Sequence, residues 1–153
     1  MLRGSKMKVQ LRRIFEGEEK ATIEYITFTE DIKKATMLLE KNQITLIGKW
    51  EGEATMLSHE QILYFESVDE KVFAYTMQKE YRMDQTLSEL EELLEAKGFF
   101  RCSKAFILNI HQIASLQSEI GSRIDAKLKN GEHLIISRHY VKAFREILRE
   151  GRL

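Results

Sequence analysis

The sequence predicts an α+β fold dominated by strands, with about nine short strands and three helices. Three observations support this prediction. Short runs rich in β-branched and aromatic residues are separated by polar turns. Thr86 and Glu89 form a capping-box pattern that leucines follow at helical spacing. Asn130-Gly131 lies between two strand-like runs, which is a strong hairpin signal.

Residues 1–52 are predicted to form a small β-β-α-β extension that serves dimerisation or regulation. Its first two strands are predicted at Met7–Phe15 and Ala21–Phe28, where β-branched and aromatic residues are frequent. Thr29 is predicted to cap a helix that stops near Asn42, since Glu30 and Asp31 follow it in the first turn. A hairpin around Glu51-Gly52 then joins Ile44–Trp50 to Glu53–Leu57.

Residues 53–153 are predicted to form the main domain. Its predicted strands are Ile62–Ser67, Lys71–Met77, Ile113–Leu116, Arg123–Leu128 and His133–Ile136. A helix with Leu87, Leu90 and Leu94 on one face is expected to stop at Gly98. Ser137 is predicted to cap a final helix whose buried stripe is Val141, Phe144 and Leu148.

Charge is distributed unevenly along a chain whose formal net charge is zero. Residues 1–95 carry 13 basic and 19 acidic residues, whereas residues 96–153 carry 11 basic and 5 acidic residues. This asymmetry predicts one cationic surface on an otherwise acidic protein, as phosphate contacts require. Acidic helix surfaces that happen to come early in the sequence would give the same asymmetry.

The segment Phe99–Ile113, FFRCSKAFILNIHQI, places basic and small residues between two aromatics and an apolar run. A buried strand does not carry Arg and Lys close together unless they are paired. We therefore interpret residues 101–105 as a loop that a scaffold presents to an anion. A second basic group, Ser137-Arg138-His139, opens the final helix, where free N–H groups and the helix dipole favour a phosphate.

These two segments resemble the LytTR DNA-binding domains of bacterial LytR/AlgR-type regulators. That family's pattern reads aromatic, Arg, any residue, His-Arg-Ser, aromatic, Ile, Val, Asn and an apolar residue, with an apolar-Ser-Arg motif later. The matching residues are Phe100, Arg101, Phe106, Ile107, Asn109, Ile110, Ser137 and Arg138. Ser103-Lys104-Ala105 stands in place of His-Arg-Ser. The resemblance extends from about Glu53 to Arg149, and it implies a β scaffold with short helices and a C-terminal helix.

The resemblance also implies how DNA is bound. The loop after Arg101 and the loop after the last strand would enter DNA grooves, while Val68–Lys71 would enter an adjacent groove. The implied DNA-binding residues are Lys71, Arg101, Ser103, Lys104, Arg138, His139 and Lys142. Of these, the resemblance implies by position that Lys104, Arg138 and His139 are the candidates for base contact. A Lys can address a phosphate or the O6 and N7 edge of guanine.

Several of these residues have a second interpretation. Arg101 is as compatible with pairing to an acidic side chain as with DNA contact. Cys102 lies beside Arg101 and Lys104, which would lower its pKa if it were exposed, but a lone cysteine is more often a small buried residue. Arg145 and Arg149 continue the basic face of the final helix and are more simply explained as a solvated surface.

The sequence does not predict an enzyme, a metal site or a cofactor. It contains no nucleophile elbow, no glycine-rich phosphate loop and no paired spacing of metal ligands. We interpret Glu89, Glu91, Glu92 and Glu95 as the solvated face of a helix. A single cysteine, no recognisable signal peptide and no apolar run near the ~18 residues of a membrane span favour the cytoplasm.

Two functions stay open. The first is a stand-alone transcriptional regulator that binds double-stranded DNA sequence-specifically and has no small-molecule substrate. For this function the resemblance implies direct-repeat operators, two copies of the protein on DNA and control by a small membrane protein or by abundance. The second is a protein–protein interaction module that retains the fold without DNA binding, which the zero net charge and the replaced His-Arg pair favour.

Overall fold

The computed structural model of the protein describes residues 8–17, 20–40 and 44–151. These residues fall into two compact units, Met1–Glu40 and Lys41–Leu153. In the first unit, helix α1 covers Glu30–Glu40. Thr29 caps it as predicted, because its hydroxyl oxygen accepts a hydrogen bond from the Ile32 amide at 3.3 Å. The predicted end near Asn42 lies outside the described residues.

The two strands predicted at Met7–Phe15 and Ala21–Phe28 are not formed. Residues 8–17 and 20–29 contain no strand, and Met7 itself is outside the described part of the chain. Val9, Leu11 and Ile26 are exposed in this segment. A strand is stable only when its backbone pairs and its side chains pack, so β-branched composition without a partner strand does not suffice. This part of the predicted β-β-α-β extension is therefore wrong.

The second unit is built mainly from strands, as the sequence predicts. Its strands are β1 Thr45–Trp50, β2 Glu53–Ser58, β3 Tyr64–Val68, β4 Lys71–Tyr75, β5 Glu80–Met83, β6 Phe99–Arg101, β7 Phe106–Asn109, β8 Ile113–Glu119, β9 Arg123–Leu128 and β10 His133–Ile136. Its α-helices are α2 Leu87–Leu94 and α3 Arg138–Glu150. Short 3₁₀ helices cover His59–Gln61, Glu95–Lys97 and Ile110–Gln112.

Two antiparallel sheets organise these strands. The larger has seven strands in the order β2-β1-β5-β4-β3-β7-β6, and the smaller has three in the order β10-β9-β8. The predicted β1–β2 hairpin is confirmed, and pairing of Gly48 with Met83 joins it to β5. The hairpin therefore belongs to the large sheet. The division at residues 52 and 53 into a regulatory or dimerising extension and a DNA-binding domain stays a prediction.

The strands β3, β7 and β6 are buried on both faces. Phe65, Ile107 and Phe99 belong to one core cluster, which also contains the leucines of α2. Their neighbours Tyr64, Leu108 and Phe100 belong to a second cluster, which also contains side chains of the small sheet and α3. Successive side chains of a strand point to opposite faces, so this β3-β7-β6 end of the large sheet lies between two apolar layers.

Helix α2 begins and ends as its sequence predicts. The hydroxyl oxygen of Thr86 accepts a hydrogen bond from the Glu89 amide at 3.2 Å, and Leu87, Leu90 and Leu94 are buried. Gly98 then takes a left-handed conformation with φ of 84°. A Cβ at this position would lie 2.6 Å from the Nε2 atom of His111, so both the backbone angle and the space require glycine.

Helix α3 packs on the second core through Val141 and Phe144, which are buried as predicted. The Phe144 ring centroid lies 5.5 Å from that of Phe100 on β6. Leu148, predicted in the same stripe, is 39% exposed, and Ile147 packs against the core instead. Because a helix has 3.6 residues per turn, the residue three or four positions after Phe144 can lie on its buried face. The core contacts the first of these, Ile147.

Candidate nucleic-acid interface

The loop between β6 and β7 contacts both of the other segments that the sequence singles out. At one side, the Ser67 amide at the end of β3 donates a hydrogen bond to the Ala105 carbonyl oxygen at 2.8 Å. At the other side, the Cys102 carbonyl oxygen accepts hydrogen bonds from the Ser137 amide at 2.9 Å and from the Ser137 hydroxyl at 3.2 Å. The β3–β4 turn, residues 102–105 and the start of α3 therefore form one continuous surface, which we call the loop face.

Ser137 precedes α3 but does not cap it in the predicted way. Its backbone is extended, with φ of −70° and ψ of 154°, and its side chain makes no capping hydrogen bond to the helix. The hydroxyl is directed to the Cys102 carbonyl oxygen instead. No side chain among the described residues caps this end. The Tyr140 amide donates to the Ser137 carbonyl oxygen at 2.9 Å, so the N–H groups of Arg138 and His139 are the ones that stay available to an anion.

Arg138 and His139 lie in the first turn of α3 and both are exposed. Lys142 follows one turn later and is also exposed. Residues four apart in a helix lie on the same face, so Arg138 and Lys142 form one cationic strip beside the β6–β7 loop. None of these three side chains has an ion-pair partner within residues 8–17, 20–40 and 44–151. The structure thus brings these three predicted site residues together.

Lys104 extends from the tip of the β6–β7 loop into solvent. Its side chain is exposed and has no acidic partner in the described part of the chain. Ser103, beside it, is half-buried, and its hydroxyl oxygen accepts a hydrogen bond from the Ala105 amide at 3.3 Å. Lys104 is therefore free to reach a ligand, whereas the Ser103 hydroxyl already shapes the loop.

Arg101 makes the acidic pairing that the sequence left open. Its Nη1 atom lies 3.1 Å from the Oε2 atom of Glu91 on α2. Its Nε atom donates to the Ser103 carbonyl oxygen at 2.8 Å, and its Nη2 atom donates to the Lys104 carbonyl oxygen at 2.5 Å. The side chain is 17% exposed. Its observed contacts all hold the loop, and direct contact of Arg101 with DNA stays a prediction that this geometry does not favour.

Lys71 is the first residue of β4 and follows a tight turn. Asp69 and Glu70 have positive φ angles of 49° and 64°, which is uncommon for residues other than glycine. Two successive positive φ angles are the signature of a type I′ hairpin turn. Lys71 is exposed and lies across the strand pair from Val68. The turn lies next to Ser67 and so extends the loop face, but its two carboxylates weaken the cationic character there.

Glu91 is the contributor to this surface that the sequence analysis missed. It was assigned to the solvated face of α2 together with Glu89, Glu92 and Glu95. In the structure it is half-buried and orients Arg101 from ten residues away. No local pattern distinguishes it from its acidic neighbours. The one sequence signal for this role is the alternative that Arg101 pairs with an acidic side chain, and it does not identify Glu91.

Asn109 fixes the other end of the β7 strand. It is buried, its Nδ2 atom donates to the Ile62 carbonyl oxygen at 2.8 Å, and its Oδ1 atom accepts from the His111 amide at 3.1 Å. A buried amide whose groups are paired with backbone is a structural element. This agrees with the prediction that Asn109 serves the backbone at a short helical turn.

Cys102 is a buried structural thiol. It has no exposed surface, and burial raises the pKa of the thiol from 9.0 to about 12. The nearby Arg101 acts in the opposite direction but is the smaller influence. Because a protonated thiol is a poor nucleophile, the structure favours the buried alternative over a redox-sensing one.

Alkaline pH is expected to destabilise the protein through Cys102. Because the pKa is higher in the folded protein, the thiol of the unfolded chain ionises first as pH rises above 9. Between pH 9 and about 12 the free energy of unfolding should therefore fall, by up to about 1.4 kcal/mol per pH unit from this group. Urea unfolding of the protein and of Cys102→Ala at pH 8, 9 and 10 checks this expectation. The variant should lose stability less steeply above pH 9, and equal slopes would contradict it. Tyr64 and Tyr75, whose phenol pKa values are also raised by burial, act in the same direction in both proteins.

The described residues offer little for other chemistry. Residues 8–17, 20–40 and 44–151 contain no group of three or more His, Cys, Asp or Glu side chains that would hold a metal ion. Over the same ranges, no helix has the length and apolar character needed to cross a membrane. The cationic loop face is thus the feature whose chemistry most clearly points to a ligand.

A two-sheet scaffold that presents cationic loops beside a helix N-terminus has the chemistry to bind phosphate groups, as a nucleic-acid-binding domain does. Comparison with known families agrees with this class. The sequence model of the LytTr DNA-binding domain matches residues 52–149, so the chain belongs to this family of DNA-binding domains.

Solved and curated relatives extend the comparison. The LytTr DNA-binding domain of a Bacillus cereus protein has a TM-score of 0.64 and 26% sequence identity, and the match covers 69% of this chain and 95% of that one. The sensory transduction protein LytT of Bacillus anthracis is 29% identical over 92% of this chain and 55% of its own length. The transcriptional regulatory protein YpdB of Escherichia coli is 26% identical over 78% of this chain and 49% of its own length. The chain thus spans about half the length of these two curated relatives.

Proposed function

We propose that the protein is a sequence-specific regulator of transcription that binds double-stranded promoter DNA through the loop face. The observation that carries this proposal is the joining of the Lys104 loop to the first turn of α3 through the Cys102 carbonyl oxygen. Cations from two distant parts of the sequence, with no ion-pair partner among the described residues, thereby lie on one surface. Membership of a DNA-binding domain family and the similarity to YpdB support the proposal.

The contacts divide into two kinds. The N–H groups of Arg138 and His139 at the start of α3, with Lys142, would anchor phosphates and set the position of the protein on the duplex. Lys104, Arg138 and His139 would reach base edges in the major groove, where each base pair presents a distinct pattern of donors and acceptors. Ser103 would act through the shape of the loop, and Lys71 would contact the backbone of an adjacent groove.

The wider features of this function are also part of the proposal. The resemblance to LytTR regulators implies that two copies of the protein bind to direct repeats. It also implies a cytoplasmic bacterial regulator that is controlled by a small membrane protein. The relatives LytT and YpdB are named as a sensory transduction protein and a transcriptional regulatory protein, which is consistent with a regulated DNA-binding role. No catalytic or cofactor chemistry is part of this function.

Titration of DNA with the purified protein tests the proposal. Duplexes selected from a random pool, together with the promoter of the protein's own operon, should bind more tightly than a scrambled duplex of equal length. Three or four phosphate contacts predict that log K falls by roughly 3 for each tenfold rise in salt, at about 0.9 per phosphate. Absence of binding at 50 mM salt would contradict the proposal and favour a protein-interaction module. Equal affinity for selected and scrambled duplexes would contradict sequence-specific binding.

A further inference from the structure

Arg101 holds the two carbonyl oxygens at the tip of the β6–β7 loop. The ends of the loop are held by backbone, because the Cys102 amide donates to the Phe106 carbonyl oxygen at 3.1 Å and the Ala105 carbonyl oxygen accepts from Ser67. At the tip, the Ser103 and Lys104 carbonyl oxygens accept hydrogen bonds only from Arg101 among the described residues. The conformation of the backbone that carries Lys104 is therefore set by this guanidinium together with the Ser103 hydroxyl, which accepts a hydrogen bond from the Ala105 amide at 3.3 Å.

Glu91 fixes the guanidinium in turn. Its carboxylate lies 3.1 Å from the Nη1 atom of Arg101, on the edge that the loop does not use. Nε and Nη2 donate to two successive carbonyl oxygens, so each of the three guanidinium nitrogens has an acceptor. A guanidinium has this rigid geometry and an ammonium group does not, so lysine cannot replace Arg101 in the same role.

A fixed loop matters because lysine is a weak discriminator of bases. Its ammonium group is a compact charge on a flexible stem. Without further restriction it can donate to acceptor atoms at many positions. If the backbone beneath it is held, the reach of the side chain is restricted and less conformational entropy is lost on binding. The preference of Lys104 for one base pair then depends on how firmly Arg101 holds the loop.

We propose that Arg101 and Glu91 are positioning residues that determine the base preference of the Lys104 loop without touching DNA themselves. This inference rests on the proposed DNA-binding function. It assigns the ion pair between α2 and the loop a role in specificity, separate from the phosphate contacts that set overall affinity.

Binding measurements on Arg101→Lys and Glu91→Gln test this assignment. Arg101→Lys keeps the charge and removes the fork, while Glu91→Gln keeps the shape and removes the carboxylate. The affinity ratio between a selected operator and operators substituted at single base pairs should fall about tenfold at the pair read by the loop. Affinity for scrambled DNA should stay within twofold of the wild-type value, because no phosphate contact is lost. For the same reason the salt dependence should stay within twofold of that of the wild-type protein.

Two variants serve as matched controls. Glu92→Gln makes the same change one residue along α2, at an exposed side chain with no ion pair among the described residues. Arg145→Lys makes the same change at an exposed position of α3. Both should keep the operator preference. In the absence of DNA, amide hydrogen exchange at residues 103–105 should accelerate at least tenfold in Arg101→Lys and Glu91→Gln but not in the controls.

A cycle with Lys104→Ala makes the test decisive. If Arg101 acts through Lys104, adding Arg101→Lys to Lys104→Ala should change operator affinity less than twofold. Additive losses, or an equal loss on every duplex with a smaller salt slope, would overturn the inference and make Arg101 a direct phosphate contact. If the wild-type protein prefers no duplex, the proposed function fails together with this inference. If it prefers an operator and Arg101→Lys keeps the full preference, this inference alone fails.

Discussion

Replacement of Lys104 and Arg138 together by alanine is expected to lower operator affinity by about 100-fold or more. Each side chain is exposed and unpaired among the described residues, and the two lie on segments joined through the Cys102 carbonyl oxygen. A good base contact contributes roughly 1–3 kcal/mol of discrimination, and each 1.4 kcal/mol is about tenfold in affinity. Fluorescence anisotropy with the selected operator measures the loss.

Most of this loss of affinity should be specific to the operator. Affinity for scrambled DNA should fall much less than affinity for the operator, since under the proposed function the helix N-terminus and Lys142 would still anchor phosphates. The matched control is Arg145→Ala with Arg149→Ala, which removes the same charge from later turns of α3. This control should lower affinity for all duplexes to a similar, small extent. Equal losses of operator binding in the two double variants would show that only net charge matters.

Phe144→Ala is expected to have the largest effect on stability. The ring is fully buried and packs against Phe100, so truncation removes apolar contacts and leaves a cavity between α3 and the large sheet. Such substitutions cost about 3–5 kcal/mol, a large part of the roughly 5–15 kcal/mol that a folded protein has in total. Urea unfolding monitored by circular dichroism measures the change.

The same substitution should abolish operator binding at 37 °C, although Phe144 is inside the protein. The start of α3 keeps its position through the packing of this helix, so its loosening separates Arg138 from the Lys104 loop. Leu148→Ala in the same helix is the control, because this side chain is 39% exposed and should cost less than about 1 kcal/mol. Full operator binding by a Phe144→Ala protein with normal stability would contradict this view of the core.

The sequence predicts structure well where a local pattern is sufficient. The Thr86 hydroxyl caps α2 as the capping-box pattern indicates, and Gly98 ends the helical region. The Asn130-Gly131 turn joins β9 to β10, with the Gly131 amide bonded to the Leu128 carbonyl oxygen. Each of these depends on contacts within a few residues, which a sequence window contains.

The sequence does not predict the strands β6 and β7 at one end of the large sheet, because their burial on both faces removes the pattern that identifies strands. Phe99 and Phe100 both point into cores on opposite faces, as do Ile107 and Leu108, so neither strand alternates apolar and polar residues. Arg101 at the end of β6 further argued against a strand, and its partner Glu91 lies in another element. The opposite error occurred at residues 8–17, where strand-like composition has no partner strand.

The sequence identifies which residues belong to the candidate site. It does not predict how these residues are arranged in space. Charge distribution and the family resemblance identified Lys104 and Arg138, and the structure places both on one exposed surface. The hydrogen bonds from Ser137 to the Cys102 carbonyl oxygen span 35 residues and form only when the two sheets pack. Arg101 holds the loop through two local carbonyl oxygens, and its acidic partner Glu91 lies in another element, which a local pattern does not identify.

The central claim is that DNA binds at the loop face. The most direct test is a titration of ¹⁵N-labelled protein with the selected operator duplex, followed by NMR of the backbone amides. We expect the largest shifts at residues 68–71, 103–105 and 137–142, with little change at the β4–β5 turn or the turn between β9 and β10. Shifts confined to α2, β2 or those turns, or no shifts at saturating duplex, would contradict the account.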